Sequence, residues 1–205
     1  EALPGGGRLL EGDILLPYEH VFEDMSSEVE VRSAVKCSGT LDRVWDVGRK
    51  LDLSYCLGTF ADATLRARTA EALVSGTAQW ERASGVNFVH RAELDGTPGR
   101  EAPGQVACTV RQGGADGRGA RGWPLASAAF PPEDPEVDGA QLLVWPEALV
   151  SDMYSLEMVV LHELGHLLGL VHEHSRFEQS RAICVDAAST EFRGLTYPDP
   201  ASVMG

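Results

Sequence analysis

The alternation of polar and apolar residues, and their recurrence at intervals of three and four, predict short strands and two long helices. Residues 50–57 alternate from one side chain to the next, which is the period of a strand with one buried face. Asp62 is the predicted N-cap of a helix that runs to about Ser84, where Gly85 ends it. Further short strands are predicted at 86–90, 105–110 and 141–145, with an edge strand at 126–130.

The two helices complete a pattern that is typical of an α/β (α+β) fold. The first has an inner face with the helical period, made of Leu65, Thr69, Leu73, Gly76, Thr77 and Trp80. The second begins after Ser155, its predicted N-cap, and Glu157 in its first turn suits the positive end of the helix dipole. We therefore expect a mixed sheet backed by a long helix, with a small irregular lobe after residue 172.

The first 32 residues differ from the rest. Glycines 5–7 are flexible and few positions repeat with a helical period, so we expect an extended arm that lies on a larger body. Residues 1–5 lack the basic start and apolar core of a signal peptide, so a secreted protein would already have lost its signal. No apolar run is long enough to span a bilayer.

Length and charge narrow the classes of function. A chain of 205 residues is long enough for one substantial domain with an appended segment. It has 17 basic and 31 acidic residues and a formal net charge of −14, which argues against nucleic acid or an anionic membrane as a partner. We expect a monomer.

The cysteines indicate whether the protein works in an oxidising or a reducing compartment. There are four, widely separated in sequence: Cys37, Cys56, Cys108 and Cys184. None has the C-x-x-C spacing of a zinc knuckle or a redox site. Their even number fits two disulfides and an oxidising environment, so we expect a secreted, extracellular protein. Four buried free thiols in a cytosolic protein are the alternative, and the sequence does not choose among the possible pairings.

Residues 162–173 carry the candidate chemistry. His162 and His166 are four residues apart, so on a helix their rings lie on one face and can bind one ion. Glu163 is offset from that pair and can reach a water on the ion, while Gly169 permits a turn that returns His172 as a third ligand. Three ligands with one open position are the geometry of a catalytic zinc site, which predicts a zinc hydrolase.

Plainer interpretations compete with this one. A bare H-E-x-x-H arises by accident in long helices, and a histidine on an apolar face is usually only packed there. An amphipathic helix with incidental histidines does not account for the glycine and the third histidine at the required distances. A zinc site that has lost catalysis is the stronger competitor, although Glu163 is present.

The stretch 162–172 resembles the long zinc signature of the metzincin metallopeptidases. Glu173, together with His174 and Arg176, is similar to the astacin branch of that clan. The resemblance implies a twisted mixed sheet with a long backing helix and a zinc-binding helix. It also implies an N-terminal lobe that ends at about residue 169 and a C-terminal lobe at 170–205.

Other segments extend the resemblance. Residues 202–204 are similar to the metzincin Met-turn, which implies that Met204 forms an apolar floor beneath the zinc without binding it. Astacins place a histidine and a tyrosine after this turn, whereas Gly205 stands here, so that tyrosine cannot be assigned. Residues 55–56, the glycine-rich stretch at 113–122 and residues 129–131 are instead similar to matrixins.

The resemblance to matrixins bears on further metals. Matrixins use histidines near the edge strand for a second, structural zinc, but Ser127 and Ala128 occupy that place, so we expect a single, catalytic Zn²⁺. Calcium is left open: Asp116 and the acids at 133–138 are candidates, although solvated loop acids are commoner.

Residues 11–14 resemble the pro-segment motif of astacins, whose aspartate covers the zinc in the latent form. Asp13 would be that ligand, because a carboxylate binds zinc well and would displace the catalytic water. An ordinary glycine-aspartate turn is the plainer interpretation, and the thiol of Cys37 is a rival latch.

The resemblance to a latent peptidase also sets domain boundaries. It implies a pro-segment at about 1–32 and a catalytic domain at 33–205, and the residue type at Arg32 suggests that the releasing cut falls near it. The new N-terminal ammonium would then become buried beside Glu173, which makes that residue activation-linked.

The interpretation is a zinc-dependent endopeptidase acting on proteins or peptides. Zinc on His162, His166 and His172 would acidify a water, and Glu163 would take its proton as general base and pass it to the leaving amine. We expect the strand ending near Trp145 to bind substrate as an added strand. The alternatives are a catalytically silent, zinc-stabilised binding module and a zinc hydrolase of non-peptide substrates.

Overall fold

A five-stranded mixed sheet, covered by two helices, forms the body of the protein. The computed structural model describes residues 34–38, 41–96, 105–113, 125–132, 139–172, 192–194 and 203–204. Several sequence predictions lie outside these ranges, namely those for the arm at 1–32 with Asp13, the calcium candidates Asp116 and 133–138, Glu173, Cys184 and Gly205.

The strands and helices follow one another in the predicted order. The strands are β1 Ala34–Ser38, β2 Leu41–Asp42, β3 Leu53–Leu57, β4 Phe88–His90, β5 Cys108–Gln112, β6 Ala126–Ala128, β7 Ala140–Val144 and β8 Phe192–Gly194. The helices are α1 Ala63–Ser84 and α2 Leu156–Leu167. The large sheet has the order β4-β3-β5-β7-β6, and its strands are parallel except for β6, which is antiparallel to β7. This confirms the α/β class and the mixed sheet with a long backing helix.

Helix α1 has the predicted ends and the predicted inner face. One carboxylate oxygen of Asp62 accepts hydrogen bonds from the N–H groups of Thr64 and Leu65 at 2.8 and 3.0 Å. Gly85 ends the helix with φ 65, in the left-handed region. The buried residues of α1 are Leu65, Thr69, Ala72, Leu73, Gly76 and Thr77. Of the predicted inner face, Trp80 is only half buried.

Helix α2 begins as its sequence predicts. The Ser155 hydroxyl accepts a hydrogen bond from the N–H of Met158 at 3.2 Å. In the first turn, hydrogen bonds from the backbone N–H of Glu157 and from Ser155 lower the pKa of the Glu157 carboxyl. In the described part of the chain, neither helix is long and apolar enough to cross a membrane.

The core lies between the large sheet and the two helices. Its largest fully buried side chains include Leu53, Leu57, Leu65, Leu73, Leu142, Leu164 and Leu167. The helices come close together at Gly76 of α1, where an added Cβ would lie 2.9 Å from Leu164 Cδ1 and 3.7 Å from Leu161 Cα. A larger side chain at this position would have to displace Leu164 or move the helices apart.

A second sheet, which the sequence analysis does not predict, joins distant parts of the chain. Its order is β2-β1-β8, with both pairings antiparallel. Strand β1 also meets the chain just after α2, because Val35 forms a bridge with Leu170 and the Lys36 N–H donates to the Gly169 carbonyl at 2.8 Å. The segment that follows α2 is therefore hydrogen-bonded to β1, a strand that lies far from it in sequence.

The expected disulfides are not confirmed, since no disulfide joins the two cysteines whose side chains the structure describes. Cys56 and Cys108 lie on the neighbouring strands β3 and β5, where Tyr55 is opposite Cys108 and Cys56 is opposite Thr109. Successive side chains of a strand point to opposite faces, so the two sulfur atoms lie on opposite sides of the sheet. Burial raises the pKa of the Cys108 thiol and keeps it protonated.

The expectation that the strand ending near Trp145 binds substrate as an added strand is wrong. That strand is β7, which has β5 on one side and β6 on the other, so its backbone edges are both used. The predicted edge strand at 126–130 is confirmed as β6 at Ala126–Ala128, the last strand of the sheet and a neighbour of α2.

Removing the cap of α1 should destabilise the fold. We expect Asp62→Ala to lower the free energy of unfolding by about 1 kcal/mol, because two N–H groups lose their acceptor. Urea unfolding followed by circular dichroism measures the change. Asp62→Asn is the control, since asparagine caps almost as well. Equal losses in the two variants would contradict this role of the Asp62 carboxylate.

Candidate metal centre

Helix α2 and the turn after it bring three histidine rings together. His162 and His166 lie one turn apart on α2, and His172 follows the turn. The Nε2 atom of His172 lies 3.0 Å from that of His162 and 3.1 Å from that of His166. Within the described ranges, these three residues are the one group of three or more His, Cys, Asp or Glu side chains that could hold a metal ion.

Backbone carbonyls fix the protonation of the two helical histidines. The Nδ1 atom of His162 lies 2.7 Å from the Val203 carbonyl oxygen, and that of His166 lies 2.7 Å from the Leu170 carbonyl oxygen. A carbonyl oxygen only accepts, so each Nδ1 must carry the hydrogen. In the neutral rings, each Nε2 then presents a lone pair, which is the form that binds a metal.

The short distances among the Nε2 atoms fit a bound cation. Two of these atoms present lone pairs toward His172, and a hydrogen on His172 Nε2 can point at only one of them at a time. A cation between the three nitrogens satisfies every lone pair at once. Tetrahedral Zn–N bonds of about 2.0–2.1 Å place neighbouring nitrogens roughly 3.3 Å apart. The 3.0 and 3.1 Å that separate His172 Nε2 from the other two nitrogens are close to this value. The donor set and its spacing therefore suit Zn²⁺.

The turn that returns His172 is a Schellman motif at the end of α2. The Gly169 N–H donates to the His166 carbonyl at 2.8 Å, and the Leu170 N–H donates to the Gly165 carbonyl at 2.9 Å. The same turn places the Leu170 carbonyl beside the ring of His166. One local motif thus ends the helix, orients the ring of His166 and directs the chain toward His172.

Gly169 is required in this turn for two reasons. Its φ is 99, a conformation that residues with a Cβ rarely adopt. An added Cβ would also overlap the Arg43 carbonyl oxygen and lie 3.3 Å from Val44 Cγ1. The turn therefore depends both on a left-handed backbone and on the segment between β2 and β3 that passes against it.

Met204 packs on helix α2, and Glu163 is part of that helix. Met204 is buried, and a Cβ added to Gly165 would overlap its sulfur, so its thioether packs on the backbone of α2 next to His166. Glu163 is wholly buried one residue after His162. The predicted roles of Met204 as an apolar floor and of Glu163 as the general base stay predictions, and Asp13 and Glu173 lie outside the described residues.

The segment after β6 contacts the site through Phe130. Its ring meets the His166 ring edge to face, with centroids 5.5 Å apart, and the Lys36 Nζ lies 5.8 Å from the Phe130 centroid. Arg43 donates to the Pro131 carbonyl from Nε at 3.1 Å and from Nη2 at 2.8 Å. These contacts connect the end of the edge strand to the exit from α2.

The sequence motif predicts the three histidines but not the residues that orient two of them. Leu170 and Val203 act through backbone carbonyls, which every residue has, so no side-chain pattern reveals them. Phe130 ends the predicted edge strand and belongs to the stretch similar to matrixins, and neither feature indicates its contact with His166. Trp45 is buried and its N–H donates to the Leu167 carbonyl of α2, but the residues around it in sequence do not indicate that contact.

Comparison with known families agrees with this geometry. The sequence model of a peptidase family described as Matrixin matches residues 45–185, which is more than half of the chain and includes all three histidines. No curated protein matches the chain.

Substitution of Gly169 should disturb the site more than substitution of another left-handed glycine. We expect Gly169→Ala to lower the free energy of unfolding by about 1–3 kcal/mol and to weaken Zn²⁺ binding, because the turn must shift away from Arg43. Gly85→Ala is the matched control, since Gly85 has φ 65 but no atom within 4 Å of an added Cβ. Urea unfolding and zinc titration measure both effects, and parental zinc affinity in Gly169→Ala would refute the prediction.

Proposed function

The chain belongs to the matrixin family of metzincin zinc metallopeptidases, and we propose that it is an endopeptidase that hydrolyses peptide bonds within proteins or peptides. The observation that carries the proposal is the convergence of the three Nε2 atoms, with the Nδ1 atoms of His162 and His166 bound to carbonyls. His162, His166 and His172 would hold one Zn²⁺, and Glu163 is the adjacent carboxylate.

The proposed reaction divides the work between the ion and the protein. When bound, Zn²⁺ supplies Lewis-acid chemistry, which polarises the scissile carbonyl and makes a water molecule more acidic. Glu163 takes a proton from the attacking water and returns it to the nitrogen of the leaving amine. The carbonyls of Leu170 and Val203 hold the histidine rings in the metal-binding tautomer throughout.

The edge strand β6 supports a peptide as the substrate. The Leu125 carbonyl accepts from the Trp145 N–H at 3.0 Å, and the Ala129 N–H donates to the Gln141 carbonyl at 2.9 Å. Backbone groups of alternate residues point to the same side of a strand, so those of Ala126 and Ala128 point away from β7. Ala126 is wholly buried, whereas the partly exposed Ala128 can pair with an extended peptide laid beside the sheet, next to α2.

Two other functions compete with this proposal. A catalytically silent module would bind zinc for stability and cleave nothing. A zinc hydrolase of other substrates would need a closed pocket shaped for a small molecule, whereas an open strand edge favours an extended peptide chain. The presence of Glu163 next to His162 favours catalysis over a purely structural zinc.

Latency and secretion form a further part of the proposal. We propose that residues 1–32 are a pro-segment and that Asp13 covers the zinc, as the likeness of residues 11–14 to astacins suggests. The Cys37 thiol is the rival latch, and strand β1, which contains it, is bonded to the exit from α2 through Lys36 and Gly169. After cleavage near Arg32, the new N-terminus would pair with Glu173. Such a zymogen would act outside the cell.

Loss of the proposed base should nearly abolish cleavage without loss of zinc. We expect Glu163→Gln to lower kcat/KM for a quenched fluorescent peptide by roughly 10²–10⁴, because the amide cannot accept the proton. Elemental analysis should still find one Zn²⁺ per chain. Glu157→Gln, at a partly exposed position in the first turn of the same helix, is the control and should keep parental activity. Equal rates for Glu163→Gln and the parent would remove Glu163 from the mechanism.

Latency can be tested with the full chain and limited trypsin treatment. We expect a quenched-peptide library to be cleaved only after trypsin has cut near Arg32. The variant Asp13→Ala should cleave part of the library before that cut, because the ion is no longer covered, while Cys37→Ala should stay latent. Early activity in Cys37→Ala alone would assign the latch to the thiol, and no activity in any form would favour the silent module.

A further inference from the structure

Two tryptophans from outside α2 donate hydrogen bonds to carbonyls that flank its two histidines. The Trp80 Nε1–H donates to the Leu161 carbonyl at 2.9 Å, and the Trp45 Nε1–H donates to the Leu167 carbonyl at 2.7 Å. Leu161 immediately precedes His162, and Leu167 immediately follows His166. We propose that Trp45 and Trp80 are positioning residues. They fix the position of α2 along its axis and its rotation about that axis, so that its two histidines meet His172. This inference rests on the proposed metal site.

Trp45 completes the end of the helix. The last carbonyls of an α-helix have no partner within it, and here those of Leu164, Gly165 and His166 accept from the N–H groups of the exit turn. The Leu167 carbonyl accepts instead from the buried indole of Trp45. Without this donor the carbonyl would be buried without compensation, which favours fraying of the turn that carries His166.

Trp80 holds the middle of the helix from the side of α1. It lies one turn after Gly76, so both residues face α2 from the same side of α1. A Cβ added to Gly76 would lie 3.7 Å from Leu161 Cα, and a Cβ added to Gly165 would lie 3.2 Å from Trp80 Cζ2. The indole of Trp80 therefore packs on the backbone of α2 between the two histidines. Its N–H, bonded to the Leu161 carbonyl, fixes how closely α1 and α2 approach each other.

The two kinds of hydrogen bond have different effects on the ligands. The carbonyls of Val203 and Leu170 set the orientation of each imidazole ring, whereas the tryptophans set the backbone from which the rings extend. Metal sites tolerate ligand displacements of only about 0.2 Å, so a small rotation of α2 would separate the nitrogens from the ion. Ring orientation alone therefore does not preserve the site.

The test compares Trp45→Phe, Trp80→Phe and the double variant in the full chain. Phenylalanine keeps an apolar ring and removes the N–H. We expect each single change to raise the Kd for Zn²⁺, measured by competition with a chelator, about tenfold, in the range known for residues that support metal ligands. The visible absorption of the Co²⁺-loaded protein should also change, because these bands report ligand geometry. Trp145→Phe, whose ring lies over Gly113, is the matched control and should keep both values.

The outcomes separate this inference from the proposed function. If the parental chain binds no Zn²⁺, the metal site itself is refuted. If the parent binds Zn²⁺ and the variants show parental Kd and Co²⁺ spectra, only the positioning role is overturned, even where urea unfolding shows lower stability. Should a phenylalanine variant fail to fold, the same tryptophan is replaced by benzothienylalanine, which keeps the ring shape without the N–H. Parental metal binding by that protein overturns the proposal, and weakened binding supports it.

Discussion

An imidazole binds a metal only through a nitrogen that carries no hydrogen, and in this protein two backbone carbonyls impose that condition. The Val203 and Leu170 carbonyls accept from Nδ1 of His162 and His166, so both Nε2 lone pairs point toward His172. The first carbonyl comes from the turn that contains Met204, and the second comes from the exit of α2. The chemistry of the site therefore depends on the positions of backbone groups as much as on the histidines.

The exit from α2 is the place where most of these constraints meet. Its Schellman turn needs the left-handed Gly169, and that residue is enclosed by Arg43 on one side and bonded to Lys36 of β1 on the other. Arg43 also binds the Pro131 carbonyl, just beyond the edge strand. One short turn thus couples the three histidines to the edge where the proposed substrate would lie. A change at the turn would alter both at once.

The role of the large sheet is to position the other elements of the site rather than to supply reactive groups. Strand β7 is enclosed between β5 and β6, so it supports β6 without offering an edge of its own. Strand β6 directs the backbone groups of Ala128 away from β7 and packs beside α2. The proposed peptide and the proposed zinc are brought together because the sheet's last strand and the metal-binding helix are neighbours.

The features that depend on neighbours along the chain could be predicted from the residues alone. Asp62, Gly85 and Ser155 mark helix ends because capping is local, and the spacing of His162, His166, Gly169 and His172 places three ligands within one helix and one turn. The position of the edge strand and the opposite directions of Cys56 and Cys108 became known only from the folded structure. The same is true of the carbonyls that bind the histidine rings and of the indoles that bind α2. These features depend on contacts between distant segments, and a backbone carbonyl leaves no mark in the residue pattern.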